Sequence, residues 1–116
     1  MNDDFPFKVE TLLEQCGGSK EVGRSILDAF LEQVESDTQE MAASLADGNW
    51  MQAGKAGHRL KSTAGVLGAS KLHSLCSALE TAGKEGKAEA ANRAYLELMA
   101  EVDRCIAAVP EARKKL

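Results

Sequence analysis

His58 is the side chain in this sequence best placed to do chemistry. It stands at the head of the run His58-Arg59-Leu60-Lys61-Ser62-Thr63-Ala64-Gly65-Val66-Leu67-Gly68. Read as a helix, Trp50, Ala53, Gly57, Leu60, Ala64 and Leu67 recur at spacings of three and four and form one buried stripe. His58 lies off that stripe. Its neighbours on the same face are Gly54 and Lys55 one turn before, Lys61 and Ser62 one turn after, and Gly65 beyond them. An imidazole ringed by residues without bulk is open to a large reaction partner. With a reference pKa near ~6.5, an exposed ring is largely neutral near pH 7 and can act as a nucleophile without a general base. Such a site must supply access, orientation and positive charge for an anionic group. Lys61, one turn after, and Lys55, one turn before, are the candidates for that charge, while Arg59 points about a third of a turn away, toward partner or solvent.

Three glycines fall inside the proposed helix, each roughly 1 kcal/mol less favourable there than alanine. Gly57 lies on the inner stripe, where close helix packing explains it. Gly54 and Gly65 lie on the histidine face, where they are expected to keep the ring exposed. Charge points to the same face. Between Gly48 and Leu79 there is no Asp or Glu, but there are Lys55, Arg59, Lys61 and Lys71. The net charge of −4 therefore conceals a basic island on an acidic chain. That field favours a phosphoryl group or an acidic partner.

The run resembles the active-site motif of histidine-containing phosphotransfer (Hpt) domains, the intermediates of bacterial multistep phosphorelays. The matching positions are His58, Leu60, Lys61, Ser62, Ala64, Leu67 and Gly68, and downstream Leu72, Leu75, Cys76, Leu79 and Glu80 resemble the family's next helix. Ser62 departs from the pattern, in which glycine is commoner. The resemblance implies that His58 accepts a phosphoryl group from the aspartyl phosphate of a response-regulator receiver domain, or from the receiver of a hybrid sensor kinase, and passes it on. It implies that Lys61 compensates the phosphoryl charge. Lys55, Ser62 and Gly65 would support the site, and Gly54, Lys55, Arg59, Ser62 and Gly65 would form the partner surface. The Mg²⁺ of the reaction belongs to the receiver, and no cofactor of its own is expected. With no GxxxxGK[ST] loop, the chain should neither bind ATP nor phosphorylate itself, which makes it a phosphocarrier rather than an enzyme.

Other histidine-using readings fare less well. In the phosphoaccepting helix of an orthodox sensor kinase an acid follows the histidine and a proline comes soon after. Here Arg59 follows, and no proline occurs until Pro110. A chemotaxis-type kinase would continue into further domains. A free-standing protein is expected, although an excised domain of a hybrid kinase would read alike. The alternative of a different class is a helical adaptor that binds a receiver without phosphotransfer. His73 lacks a lysine three residues on and reads as a surface residue. His73 and Cys76 could supply two zinc ligands, but no second pair completes the set.

The elements that must position His58 are helical throughout. At 116 residues the chain is expected to be one domain spanning 1–116. Asp4 is expected to cap a short helix with Pro6 at its first position and Phe5, Val9, Leu12 and Leu13 inward, ending at Gly17-Gly18. Ser19 caps a second helix bearing Val22, Ile26, Phe30, Val34, Met41 and Leu45, which Asp47-Gly48 stops. Asn49 and Gln52 have capping-box spacing and open the His58 helix, which Gly68 closes. Ser70 starts a fourth helix with Leu72, Leu75, Cys76 and Leu79 inward, up to the turn at 83–86. The last buries Tyr95, Leu98 or Met99, Val102 and Ile106 and frays after Pro110. Short connections imply antiparallel neighbours. The fold class is therefore all-α, an antiparallel up-down-up-down four-helix bundle with the short N-terminal helix packed across one end. Equal distances from the turn place Val34 to Thr38 beside His58.

The absence of an 18-residue apolar window argues against a membrane span. An acidic start without an apolar stretch argues against a secretory signal, and a pI near 5.2 against nucleic acid. Three cysteines without metal spacing read as buried apolar groups in a reducing cytoplasm. A monomer is expected.

Overall fold

The computed structural model describes residues 5–116, among which there are five α-helices and no strand. They are α1 Val9–Gln15, α2 Lys20–Ala46, α3 Trp50–Leu67, α4 Ser70–Glu85 and α5 Ala88–Lys114. Helices α2 to α5 form the antiparallel four-helix bundle, α3 packing most closely on α4, and α1 lies against α2 and α3 at one end. Leu27, Phe30, Met41, Leu60, Leu67, Leu72, Leu79 and Leu98 fill the core and are all fully buried.

Each break has a local cause. The Ser19 hydroxyl accepts from the Val22 N–H at 3.1 Å, and the Asn49 side chain accepts from the Gln52 N–H at 3.2 Å. The return half of the capping box is not made: the Asn49 N–H donates to the Ser44 carbonyl at 2.8 Å, and the Gln52 side chain turns to Glu40, its amide N–H donating at 2.7 Å. Gly68 ends α3 at φ +68°, and a Cβ there would sit 2.8 Å from that of Lys8. Only glycine satisfies both the left-handed backbone and the close crossing of the N-terminal segment.

Several expectations need correction. Asp4 lies outside the described residues. Helix α1 begins at Val9 rather than at Pro6. Lys8 is extended at φ −118° and ψ 101°, and its N–H is taken by the Leu67 carbonyl at 3.1 Å, one of the free carbonyls at the end of α3. Phe5 and Phe7 thus lie ahead of the helix, and Phe7 meets Phe30 edge-on, centroids 6.0 Å apart. The start of α4 at Ser70 is as expected, with Ala69 as its cap and no side-chain hydrogen bond there. On α2, Val22 is exposed and Gly23 takes the inner place, against Leu12 and Leu116. On α5 the buried stripe includes Ala91, Ala94, Leu98, Val102, Cys105, Val109 and Ala112; Leu98 and Val102 are inward as expected, but Ile106 is exposed and Tyr95 half-buried, their places taken by Cys105 and Ala94. The helix also continues through Pro110 to Lys114. Proline removes one hydrogen bond, to the Ile106 carbonyl on the outer face where water can replace it, while buried Ala112 and Leu116 hold the end down.

Cys76 and Cys105 are both fully buried, and burial pushes each thiol up to about 12. Cys16, behind α1, is half-buried.

Candidate functional site

The α3/α4 seam is built by glycine. A Cβ added at Gly83 would overlap the Trp50 carbonyl oxygen and lie 3.2 Å from the Gly54 Cα. One added at Gly54 would meet the Glu80 backbone oxygen at 3.2 Å, and one at Gly57 the Cys76 oxygen at 3.2 Å. The two backbones therefore run nearly in contact. This corrects the reading of Gly54 as an exposed partner-surface residue. It is buried, because α4 covers more of α3 than the apolar stripe alone suggests. Gly65 is exposed, and a Cβ there would find only the His73 ring, at 3.8 Å.

Close approach brings Glu80 of α4 under His58. The His58 side chain is 59% exposed, and its Nδ1 lies 2.9 Å from Glu80 Oε2. An ionised carboxylate only accepts, so the neutral ring donates Nδ1–H and leaves the Nε2 lone pair free. The other carboxylate oxygen, Oε1, accepts from Lys61 Nζ at 2.6 Å, and Lys84 Nζ stands 3.3 Å from Oε2. Helical side chains lean toward the N-terminus, which is how Lys61, one turn after His58, reaches the same acid. The hydrogen bond from Lys61 and that from Lys84 outweigh the opposing burial and hold the Glu80 carboxyl down at about 2. Since its folded value lies below the ordinary carboxylate range, the stability this cluster supplies is complete above that range. It is lost progressively as pH falls from the ordinary carboxylate range and is gone below about 2. A ¹³C titration of the Glu80 carboxyl should accordingly show no protonation at pH 4, where exposed glutamates are already titrating.

Glu80 is the site residue that spacing along α3 could not reveal. Two signals for it were present: it closes the downstream run that resembles the family's next helix, and it is the first acid after the acid-free stretch that ends at Leu79.

On the other flank of α3, Arg59 is engaged rather than free. Its Nε donates to Asp37 Oδ1 at 3.2 Å and its Nη2 to Glu40 Oε1 at 2.6 Å. The hydrogen bond from Arg59, then that from Gln52, lowers the Glu40 pKa. Gln33 ties the same network together, donating to Asp37 at 3.1 Å and to the Arg59 carbonyl at 3.2 Å, and accepting from Thr63 at 2.5 Å. The α2 stretch expected beside His58 thus lies beside Arg59, and Asp37 within it is buried. Arg59→Ala should cost roughly 1–3 kcal/mol in chemical denaturation, because it strips the charged partner from a buried carboxylate. A loss below a few tenths would show that the network does not join α2 to α3.

The basic island is thus largely answered across helices: Lys61 by Glu80, Arg59 by Asp37 and Glu40, and Lys71 by Glu101 at 3.9 Å. Lys55 is exposed and has no ion pair among the described residues. Ser62 is exposed but faces a shallow α2/α3 groove with Thr63, Val66 and Gln33 rather than Glu80. His73 is exposed.

The arrangement pairs an accessible ring nitrogen with a fixed tautomer and local cations. Comparison with known proteins follows the same line. The chain matches the family model described as Hpt domain over residues 25–112. No curated protein sequence matches it. Among solved structures, it is similar to the crystal structure of histidine-containing phosphotransfer protein B (HptB) from Pseudomonas aeruginosa PAO1. The TM-score is 0.85 at 18% sequence identity, over 98% of this chain and 99% of that one.

Proposed function

The chain belongs to the Hpt domain family, and from that premise we propose that it carries phosphoryl groups between response-regulator receiver domains on His58. Family membership supports a role as phosphotransfer intermediate in a phosphorelay, as a phosphocarrier rather than a kinase. None of the described helices is long and apolar enough to cross a membrane. In our reading the chain acts as a cytoplasmic monomer, and a hybrid sensor kinase supplies one of the receivers.

The observation that carries the assignment is the Nδ1–H···Glu80 hydrogen bond beneath an exposed ring. The Nε2 lone pair attacks the phosphorus of an aspartyl phosphate. The N–P bond forms, the acyl O–P bond breaks, and the aspartate leaves as carboxylate. The Nδ1 proton stays in place, so positive charge develops on the ring as Nε2 is phosphorylated, and Glu80 stabilises that charge where it appears. Lys61 lies on the same carboxylate and is within reach of the incoming phosphoryl group as its counter-charge. A Mg²⁺ held by the receiver would supply charge neutralisation on the partner's side, and no residue of this chain is assigned to it. Gly65 and Ser62 serve by lacking bulk.

Phosphoryl acceptance from a phosphorylated receiver with Mg²⁺, followed by intact mass, tests this directly. An acid-labile, alkali-stable adduct is expected. No adduct across a panel of receivers and with phosphoramidate would leave the adaptor reading standing. A second test reads the tautomer: two-bond ¹H–¹⁵N spectra of neutral His58 should show the Nδ1–H form, and Glu80→Ala should lose that bias while slowing phosphoryl acceptance about tenfold to a hundredfold. An unchanged tautomer in Glu80→Ala would remove Glu80 from the mechanism.

A further inference from the structure

Beside His58, on the N-terminal side of its ring, the α3/α4 seam opens into a cavity of about 440 Å³. Met51, Gly54, Lys55, His58, Glu80 and Lys84 line it, together with Arg59, whose guanidinium is held on the α2 side by Asp37 and Glu40. It exists because Gly54 and Gly83 bring the two backbones together and leave no side chain to fill the groove above them. Met51 stands at its wall with 53% of its surface exposed, one of four large apolar side chains left in water among the described residues. The rim is cationic. Lys55 has no ion pair among the described residues, and Lys84, 71% exposed, shares Glu80 with the closer Lys61. Nothing comparable lies on the α2 flank, where Asp37 and Glu40 already answer Arg59.

We propose that this cavity selects the partner: it takes an apolar side chain of the receiver domain that stands next to acidic residues. The inference rests on the phosphocarrier reading and deepens it. A receiver that presents an aspartyl phosphate to His58 must bring an acidic face over the ring. Lys55 has no ion pair among the described residues, and Lys61 and Lys84 share the single charge of Glu80, so net positive charge remains near His58 and draws that face to the α4 flank. An apolar residue beside it then meets Met51 and the seam floor, and desolvating that contact sets affinity among receivers. The geometry excludes a second copy of this chain as the better occupant, since the same lysines would face one another across a two-fold contact.

Met51→Glu and Met51→Ala separate docking from chemistry, because Met51 touches neither Glu80 nor the reacting nitrogen in this account. Two reactions are run with each: loading by phosphoramidate, which needs no docking, and transfer from phosphorylated receiver domains. Met51→Glu should lower kcat/KM for receiver transfer about tenfold or more, and Met51→Ala about threefold, with phosphoramidate loading within about twofold of wild type. Met51→Lys, which keeps the charge complement, should fall between them. Equal losses in both reactions, or no loss with receivers, would overturn the proposal. So would a wild-type chain that phosphoramidate loads but no receiver does. Failure of phosphoramidate itself to load wild type would instead sink the phosphocarrier reading.

Discussion

His58→Gln will accept no detectable phosphoryl group from any receiver that loads the wild-type chain, and it will melt close to wild type. The amide nitrogen of glutamine has its lone pair delocalised into the carbonyl, so it is no nucleophile. The same amide can still donate to Glu80 Oε2, which keeps the charge cluster of Glu80, Lys61 and Lys84 supplied with a partner. The side chain at this position is exposed, and substitutions at such sites change stability by about 0.5 kcal/mol or less. Intact mass and thermal denaturation on one preparation decide the matter. A phosphoryl adduct on His58→Gln would move the acceptor elsewhere, and His73 is the other histidine in the chain.

Gly83→Ala will do the reverse, damaging the fold without touching the acceptor. The added methyl would overlap the Trp50 carbonyl, and the next atom it meets is the Gly54 Cα. Both are backbone, so no rotamer can swing aside and α4 must move off α3. That movement opens the layer where Leu60, Cys76 and Leu79 pack, all fully buried. A cost of about 2–4 kcal/mol is expected, which lowers Tm by roughly 10 °C or more for a domain of this size. Gly65→Ala is the matched control in the same seam. Its methyl meets only the His73 ring, at 3.8 Å, so helix propensity should win and stabilise the protein by about 1 kcal/mol. If both alanine variants melted together, the backbone contact at Gly83 would not be what holds α3 to α4.

The legible parts of this molecule are those where residue size reports position. The α3 stripe from Ala53 to Leu67, the Ser19 and Asn49 caps and the stop at Gly68 follow from local chemistry alone. On helix α5, Leu98 and Val102 were legible, but Tyr95 and Ile106 were misplaced because much of the inner face is made of small residues, Ala91, Ala94, Cys105 and Ala112, while bulky Ile106 and Leu96 face water. Hydrophobic periodicity weighs the wrong side when the partner helix comes close. Gly54 failed for a related reason. One helix face can border two neighbours, and which one covers a glycine depends on interhelical distance, a quantity no spacing within α3 contains. His58, Lys61 and Gly65 were recognisable as a group because they share one helix. Glu80 is 22 positions away from His58, and only the glycine seam brings it there.

The buried thiols also determine how the molecule can be handled at the bench. Cys76 and Cys105 have no solvent exposure and are held in the unreactive protonated form up to about 12, whereas Cys16 is partly open at the far end of α1. A maleimide dye applied to the native protein should therefore attach at one place, and to the denatured protein at three. The wild-type sequence accordingly comes with a single-site fluorescent handle. Because that handle is carried by α1 and not by the helices that hold His58, it can follow receiver binding without disturbing the reacting face.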